Sequence, residues 1–133
     1  MKIAITGKGG VGKTTFSSML SRMFADDGYR VVAVDADPDA NLGLALGFPK
    51  EVYESITPIS EMKKLVSERT SAQTGTFNKM FKLNPKVDDI PDVYCKEHNG
   101  VRLLTLGTVD SGGAGCVCPE HVLLKRLCSH LIL

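Results

Sequence analysis

No stretch of this 133-residue chain stays apolar for the ~20 residues that a membrane-spanning helix requires. No charged segment, apolar stretch and cleavage site precede residue 7, where a glycine-rich motif already begins, so a secretory leader is not expected. Charge of one sign is missing too. Sixteen Lys and Arg stand against 15 Asp and Glu, a formal net charge of +1. Bulk electrostatics therefore give no reason to expect nucleic acid or an anionic membrane as a partner. The sequence has no internal repeat and no low-complexity segment. Cysteine is limited to Cys95, Cys116, Cys118 and Cys128. Four thiols could form two disulfides in a secreted domain, but the secretory context is lacking. What remains is a single domain over residues 1–133, expected in the cytosol, with 43% hydrophobic and 23% charged residues. At this length a domain buries about two thirds of its unfolded surface.

The first third reads as strand, glycine loop, helix, strand. Lys2-Ile3-Ala4-Ile5-Thr6 is a short apolar run ending at Gly7, which predicts a buried parallel strand. Phe16, Met19, Leu20, Met23 and Phe24 fall on one face of a helix that Gly28 is placed to stop. Arg30-Val31-Val32-Ala33-Val34-Asp35 is a second buried strand, and the order implies a βαβ unit with a parallel sheet. A helix is expected over 61–69, with Pro58 and Ser60 near its start. Two prolines bracket 83–91, which reads as a loop. After the Asn99-Gly100 turn signal, 101–106 reads as a third strand. The glycine-rich run Ser111-Gly112-Gly113-Ala114-Gly115 then leads into Cys116-Val117-Cys118-Pro119-Glu120 and a final, largely buried helix.

Gly7-Lys8-Gly9-Gly10-Val11-Gly12-Lys13-Thr14 has the form of a P-loop. A phosphate chain needs several converging hydrogen-bond donors, and backbone N–H groups approach it closely only where no Cβ intrudes. Gly7, Gly9, Gly10 and Gly12 allow that approach, with Val11 between them, and the next helix directs its positive N-terminus at the same place. Lys13 is expected at the β- and γ-phosphates, and the hydroxyl of Thr14, followed by Thr15, at Mg²⁺. Asp35-Ala36-Asp37-Pro38-Asp39-Ala40-Asn41 lies just beyond a strand's carboxyl end, where doubly wound sheets carry functional loops. A polar turn that caps the next helix would use the same residues. Val31-Val32-Ala33-Val34-Asp35 as a Walker B strand is a further, lower-ranked alternative.

Cys116 and Cys118 are one residue apart and cannot alone supply four ligands to a tetrahedral metal. Two copies in a symmetric dimer could, giving an S₄ site. Tetrahedral S₄ suits Zn²⁺ and a planar arrangement suits Ni²⁺. The helix N-terminus at Pro119 favours the thiolate form that binds metal. Cys95 and Cys128 read as packed or partly exposed thiols. His98 and His130 carry no metal-site signal, whereas His121 lies near the pair.

Lys8 directly after the first glycine resembles the deviant Walker A motif of the MinD, ParA and nitrogenase-iron-protein ATPases. That resemblance implies an α/β P-loop NTPase fold with a mainly parallel, doubly wound sheet. It also implies a homodimer in which Lys8 reaches the partner's nucleotide. By the same match Asp37 orients or deprotonates the attacking water, while Asp39 and Asn41 lie near the magnesium shell. Adding Asn84-Pro85-Lys86-Val87-Asp88-Asp89-Ile90-Pro91 and Gly115-Cys116-Val117-Cys118-Pro119-Glu120, in this order, the chain resembles the CooC-type nickel-insertion ATPases. This implies ATP, Mg²⁺ and Ni²⁺ or Zn²⁺ as cofactors and cargo, with carbon monoxide dehydrogenase as client. No strand with a Walker B aspartate follows Leu106, so the chain reads as the N-terminal half of such a domain, with weak or no ATPase activity alone. An iron–sulfur reductase, a MinD- or ParA-like spatial switch and an inactive fragment are the competing readings.

Overall fold

The computed structural model describes residues 1–37, 39–71, 82–108 and 118–132. Three strands form its sheet: β1 (Val31–Asp35), β2 (Lys96–His98) and β3 (Val101–Thr105), in the order β1-β3-β2. β1 pairs with β3 in parallel, with Ala33 opposite Leu103 and Asp35 opposite Thr105. β2 pairs with β3 antiparallel, with Glu97 opposite Arg102. The helices are α1 (Lys13–Asp26), α2 (Leu42–Ala45), α3 (Lys50–Glu54), α4 (Lys63–Thr70), α5 (Ile90–Tyr94) and α6 (Pro119–Ile132), with a 3-10 turn at Ile59–Glu61.

The central strand explains the layering. Val101 and Leu103 face a cluster with Ala33, Leu42, Leu46 and Phe48. Leu104, with Leu106 just beyond the strand, joins a second cluster with Ile59, Leu65, Ile90, Leu123 and Leu127. Successive side chains of a strand point to opposite faces, so Val101 and Leu103 on one side and Leu104 on the other bury both faces of β3. The result is three layers, with α2 and α3 contributing to one core and α4, α5 and α6 to the other.

Several expectations from sequence are met. β1 and β3 form, a helix covers most of 61–69, and Pro119 occupies the first position of α6. The α/β fold is met as well, and among the described residues its sheet is small and mixed, because the Lys96–His98 strand turns back through Asn99 (φ 48°) and Gly100 (φ 74°) as a tight hairpin. Three expectations differ. Residues 2–6 take no part in the sheet, and Ile3 is 53% exposed. A strand exists only with a ladder partner, and residues 2–6 pair with none of the three strands, although β1 and β2 each keep an outer edge. Lys2 Nζ instead donates to the His130 carbonyl on α6 at 3.1 Å. The predicted stripe on α1 divides: Phe16, Met19 and Met23 are 58%, 60% and 62% exposed, whereas Leu20 and Phe24 are half-buried. Ser18 and Ala25 share the inward side with Leu20 and Phe24. Finally, the 83–91 loop ends early, since Ile90 and Pro91 open α5, where proline's missing N–H costs nothing.

One ion pair ties the core helices together. Arg69 at the end of α4 donates to Asp89 Oδ2, just before α5, at 2.6 Å. That hydrogen bond holds the Asp89 carboxyl below the usual aspartate range. A depressed folded pKa means that the pair's contribution is complete above the unfolded value near 4 and is lost as pH falls through the folded value. Asp89→Asn should therefore be less stable than the native chain near neutrality, and the gap should close as pH drops below about 4. Thermal melts across pH 2–7 test this; a gap that is constant throughout would contradict it.

Candidate nucleotide site

α1 packs back along β1, so its N-terminus lies at the same end of the sheet as the carboxyl end of β1. That end carries both the glycine loop and the aspartate loop.

In the glycine loop, Gly12 precedes α1 with φ 88° and ψ 19°, a left-handed conformation that glycine adopts without the penalty of a Cβ. Gly10 does the same at φ 79°. No atom lies within 4 Å of where a Cβ would stand on Gly9, Gly10 or Gly12, so their backbone is open to approach by a ligand. The α1 ladder begins with the Phe16 N–H to the Gly12 carbonyl at 2.9 Å, and no side chain caps the helix. The amides of Lys13, Thr14 and Thr15 precede that first bond and form the positive end of the helix. Lys13 Nζ crosses the loop to the Lys8 carbonyl at 3.2 Å, while the Lys8 side chain is exposed. Open glycine backbone, a helix N-terminus and a lysine ammonium on the same loop suit a phosphate chain.

The aspartate loop is organised from its first residue. Asp35 is 5% exposed; its Oδ1 accepts from the Asp37 N–H at 3.1 Å and its Oδ2 from the Leu42 N–H at 2.9 Å. Asp37 Oδ1 accepts from the Asp39 N–H at 3.1 Å, and Asn41 Nδ2 donates to the Asp39 carbonyl at 2.6 Å. The side chains of Asp37 and Asp39 are exposed. The capping role anticipated for this segment therefore falls to Asp35, which serves the first turn of α2 from seven residues upstream. Its carbonyl also accepts from the Leu106 N–H at 2.9 Å, which continues the β1–β3 ladder. At the other end of α2, Arg22 of α1 donates to the Leu46 carbonyl at 2.7 Å. Gly47 permits this contact, since a Cβ there would stand 2.7 Å from the Arg22 guanidinium.

Sequence reasoning treated Asp35 mainly as the start of a motif. The alternating Asp35-Ala36-Asp37 pattern was the available signal, because Asp side chains bond backbone N–H groups two residues on. Tyr53 was also missed. It lies on α3 and its hydroxyl donates to the Ala40 carbonyl. No local pattern announces that contact.

The metal-site candidates separate. Cys118 is half-buried just before α6, and its carbonyl accepts from the Val122 N–H at 3.2 Å. Cys116, with Val117 and the preceding glycine run, lies outside the described residues, as does Pro38. Among the described residues no three His, Cys, Asp or Glu side chains converge on one point. Cys95 and Cys128 pack against the larger core cluster, and burial pushes both thiols up. His121 is exposed on the first turn of α6, and His98 stacks on Phe48 at 5.2 Å between ring centroids. Among the described residues no helix is long and apolar enough to cross a membrane.

Comparison with known proteins matches this geometry. Residues 2–112 match the CobQ/CobB/MinD/ParA nucleotide binding domain. The chain is 54% identical over 134 residues to the carbon monoxide dehydrogenase accessory protein CooC of Rhodospirillum rubrum, covering 99% of this chain and 50% of that protein. It is 51% identical over 133 residues to an uncharacterized ATP-binding protein of Methanocaldococcus jannaschii, covering 100% and 50%. A putative septum site-determining protein MinD of Oltmannsiellopsis viridis is 51% identical over 51 residues, 38% of this chain and 16% of that protein. The chain spans about half the length of the first two relatives. With a glycine cradle at the head of α1, a mixed α/β sheet and this profile match, the chain belongs to the CobQ/CobB/MinD/ParA family of P-loop nucleotide-binding domains.

Proposed function

We propose that this chain is the nucleotide-binding part of a dimeric ATPase that delivers nickel to the metal cluster of carbon monoxide dehydrogenase. The observation that carries the reading is the open backbone at Gly9, Gly10 and Gly12 with Lys13 bonded across the same loop, in a sequence 54% identical to CooC. On ATP binding, Lys13 exchanges the Lys8 carbonyl for oxygens of the β- and γ-phosphates, and the amides at the head of α1 bond the phosphate chain. Thr14 would hold Mg²⁺, which supplies charge neutralisation at the phosphates when bound. Asp37 orients or deprotonates the attacking water; for a reaction governed by positioning and electrostatics, an exposed carboxylate on an ordered loop suits that task. Lys8, exposed on the loop, extends toward the nucleotide of a second copy and couples ATP binding to dimer closure.

Cys118 and its neighbour Cys116 supply thiolates for Ni²⁺ or Zn²⁺, four from two copies, with the metal as cargo. The test is metal binding and mass in solution. Wild type should bind Ni²⁺ or Zn²⁺ at about one ion per two chains and double its mass. Cys116→Ser/Cys118→Ser should do neither. Unchanged metal binding in the double variant would remove the delivery reading. Iron with a visible absorption band after anaerobic reconstitution would redirect it toward an iron–sulfur reductase.

A further inference from the structure

Tyr53 reaches the aspartate loop from a different helix. Its hydroxyl donates to the carbonyl of Ala40, the residue between Asp39 and Asn41. Its ring lies over α2 at Gly43, where a Cβ would stand 2.6 and 2.8 Å from the Cδ2 and Cε2 atoms of that ring and 2.9 Å from Leu103. Only glycine admits the ring there. On its other side Tyr53 packs against the core cluster of Ala33, Leu42 and Leu103. Burial, and then the nearby Asp35 carboxylate, raise the phenol above its ordinary value, so the hydroxyl remains a donor at neutral pH. The loop is thus held from two sides, by the Asp35 carboxylate below and by an aromatic ring anchored in the core above.

We propose that Tyr53 is a positioning residue for Asp37: by fixing the Ala40 carbonyl it sets the conformation in which the 36–41 loop presents that carboxylate. This rests on the reading of Asp37 as the residue that orients the attacking water. The hydrogen bond of Tyr53 goes to the aspartate loop and not to the glycine loop, so its contribution belongs to hydrolysis and not to nucleotide affinity.

Tyr53→Phe removes the donor and keeps the ring seated on Gly43. Amide exchange measured residue by residue should become about fivefold faster at Asp37, Asp39 and Leu42 and remain unchanged at Leu103 and Leu104 of β3. In a chain extended to the relatives' full length, the single-turnover rate of ATP hydrolysis should fall about fivefold to tenfold, with Mg-ATP affinity within about twofold of the unsubstituted chain. Unchanged exchange in the loop overturns the proposal. So does acceleration that spreads to β3, which would mark Tyr53 as a core residue only. Local acceleration with an undiminished hydrolysis rate also overturns it, because the loop would then be ordered to no catalytic effect. A wild-type chain extended to the relatives' full length that binds ATP without hydrolysing it removes the role of Asp37 and the catalytic half of the proposal. The exchange data still decide whether Tyr53 orders the loop.

Discussion

Lys13→Ala is expected to weaken Mg-ATP binding about 100-fold while leaving the unliganded chain almost as stable as before. In the free chain the Lys13 ammonium makes one exposed hydrogen bond, to the Lys8 carbonyl at 3.2 Å. Losing it should cost no more than about 0.5 kcal/mol, the usual range for surface changes. With nucleotide bound, the same ammonium faces two phosphate groups, and charge-assisted bonds contribute about 1.5–3 kcal/mol each. Two of these correspond to a loss of at least two orders of magnitude in affinity. Titration calorimetry with Mg-ATP, paired with thermal melts of both chains, separates the effects. Near-native affinity in Lys13→Ala would refute the phosphate role; a large loss of intrinsic stability would show that the lysine is structural.

Asp35→Ala should cause the largest loss of stability among single changes in the site, about 3 kcal/mol. The carboxylate is almost fully buried and accepts backbone N–H groups from Asp37 and Leu42. Removing it takes a charged acceptor from both and leaves the first turn of α2 uncapped, since no other side chain serves that end. Against a total stability of roughly 5–15 kcal/mol for a domain, that loss is substantial. It corresponds to a melting temperature lower by roughly 10 °C. Asp35→Asn, with one carbonyl oxygen in place of two, should fall between. If Asp35→Ala melted within about 2 °C of the native chain, the loop would have to draw its order from elsewhere.

How much of this was legible in the sequence depends on the range of the interactions involved. The glycine cradle, α1, β1, β3, α4 and α6 follow from local patterns: helical spacing, short apolar runs and proline at a helix start. β2 carries no apolar signature in Lys96, Glu97 and His98, yet Asn99-Gly100 is the sequence of a tight hairpin turn, so its existence was readable from the turn. Residues 2–6 have the composition of a buried strand, but composition cannot supply a pairing partner. Of the stripe read on α1, Leu20 and Phe24 turn inward while Phe16, Met19 and Met23 stay exposed. Periodicity reveals that a face is apolar, whereas what covers it depends on tertiary packing. Tyr53 lay beyond sequence reasoning altogether, because its contact joins α3 to a loop 13 residues earlier through a space that only Gly43 leaves open.

The two oxygens of Asp35 also decide where the entropy of the site is settled. With one bonded to the Asp37 N–H and the other to the Leu42 N–H, Asp35 closes a ring by tying Leu42 back to the end of β1. Fixing a backbone residue costs about 1–2 kcal/mol, and here that cost falls within folding, before any ligand arrives. A group docking against Asp37 thus meets a preorganised surface and need not capture a wandering loop. Opening the ring by substitution at Asp35 should then appear in calorimetry as a less favourable entropy of binding.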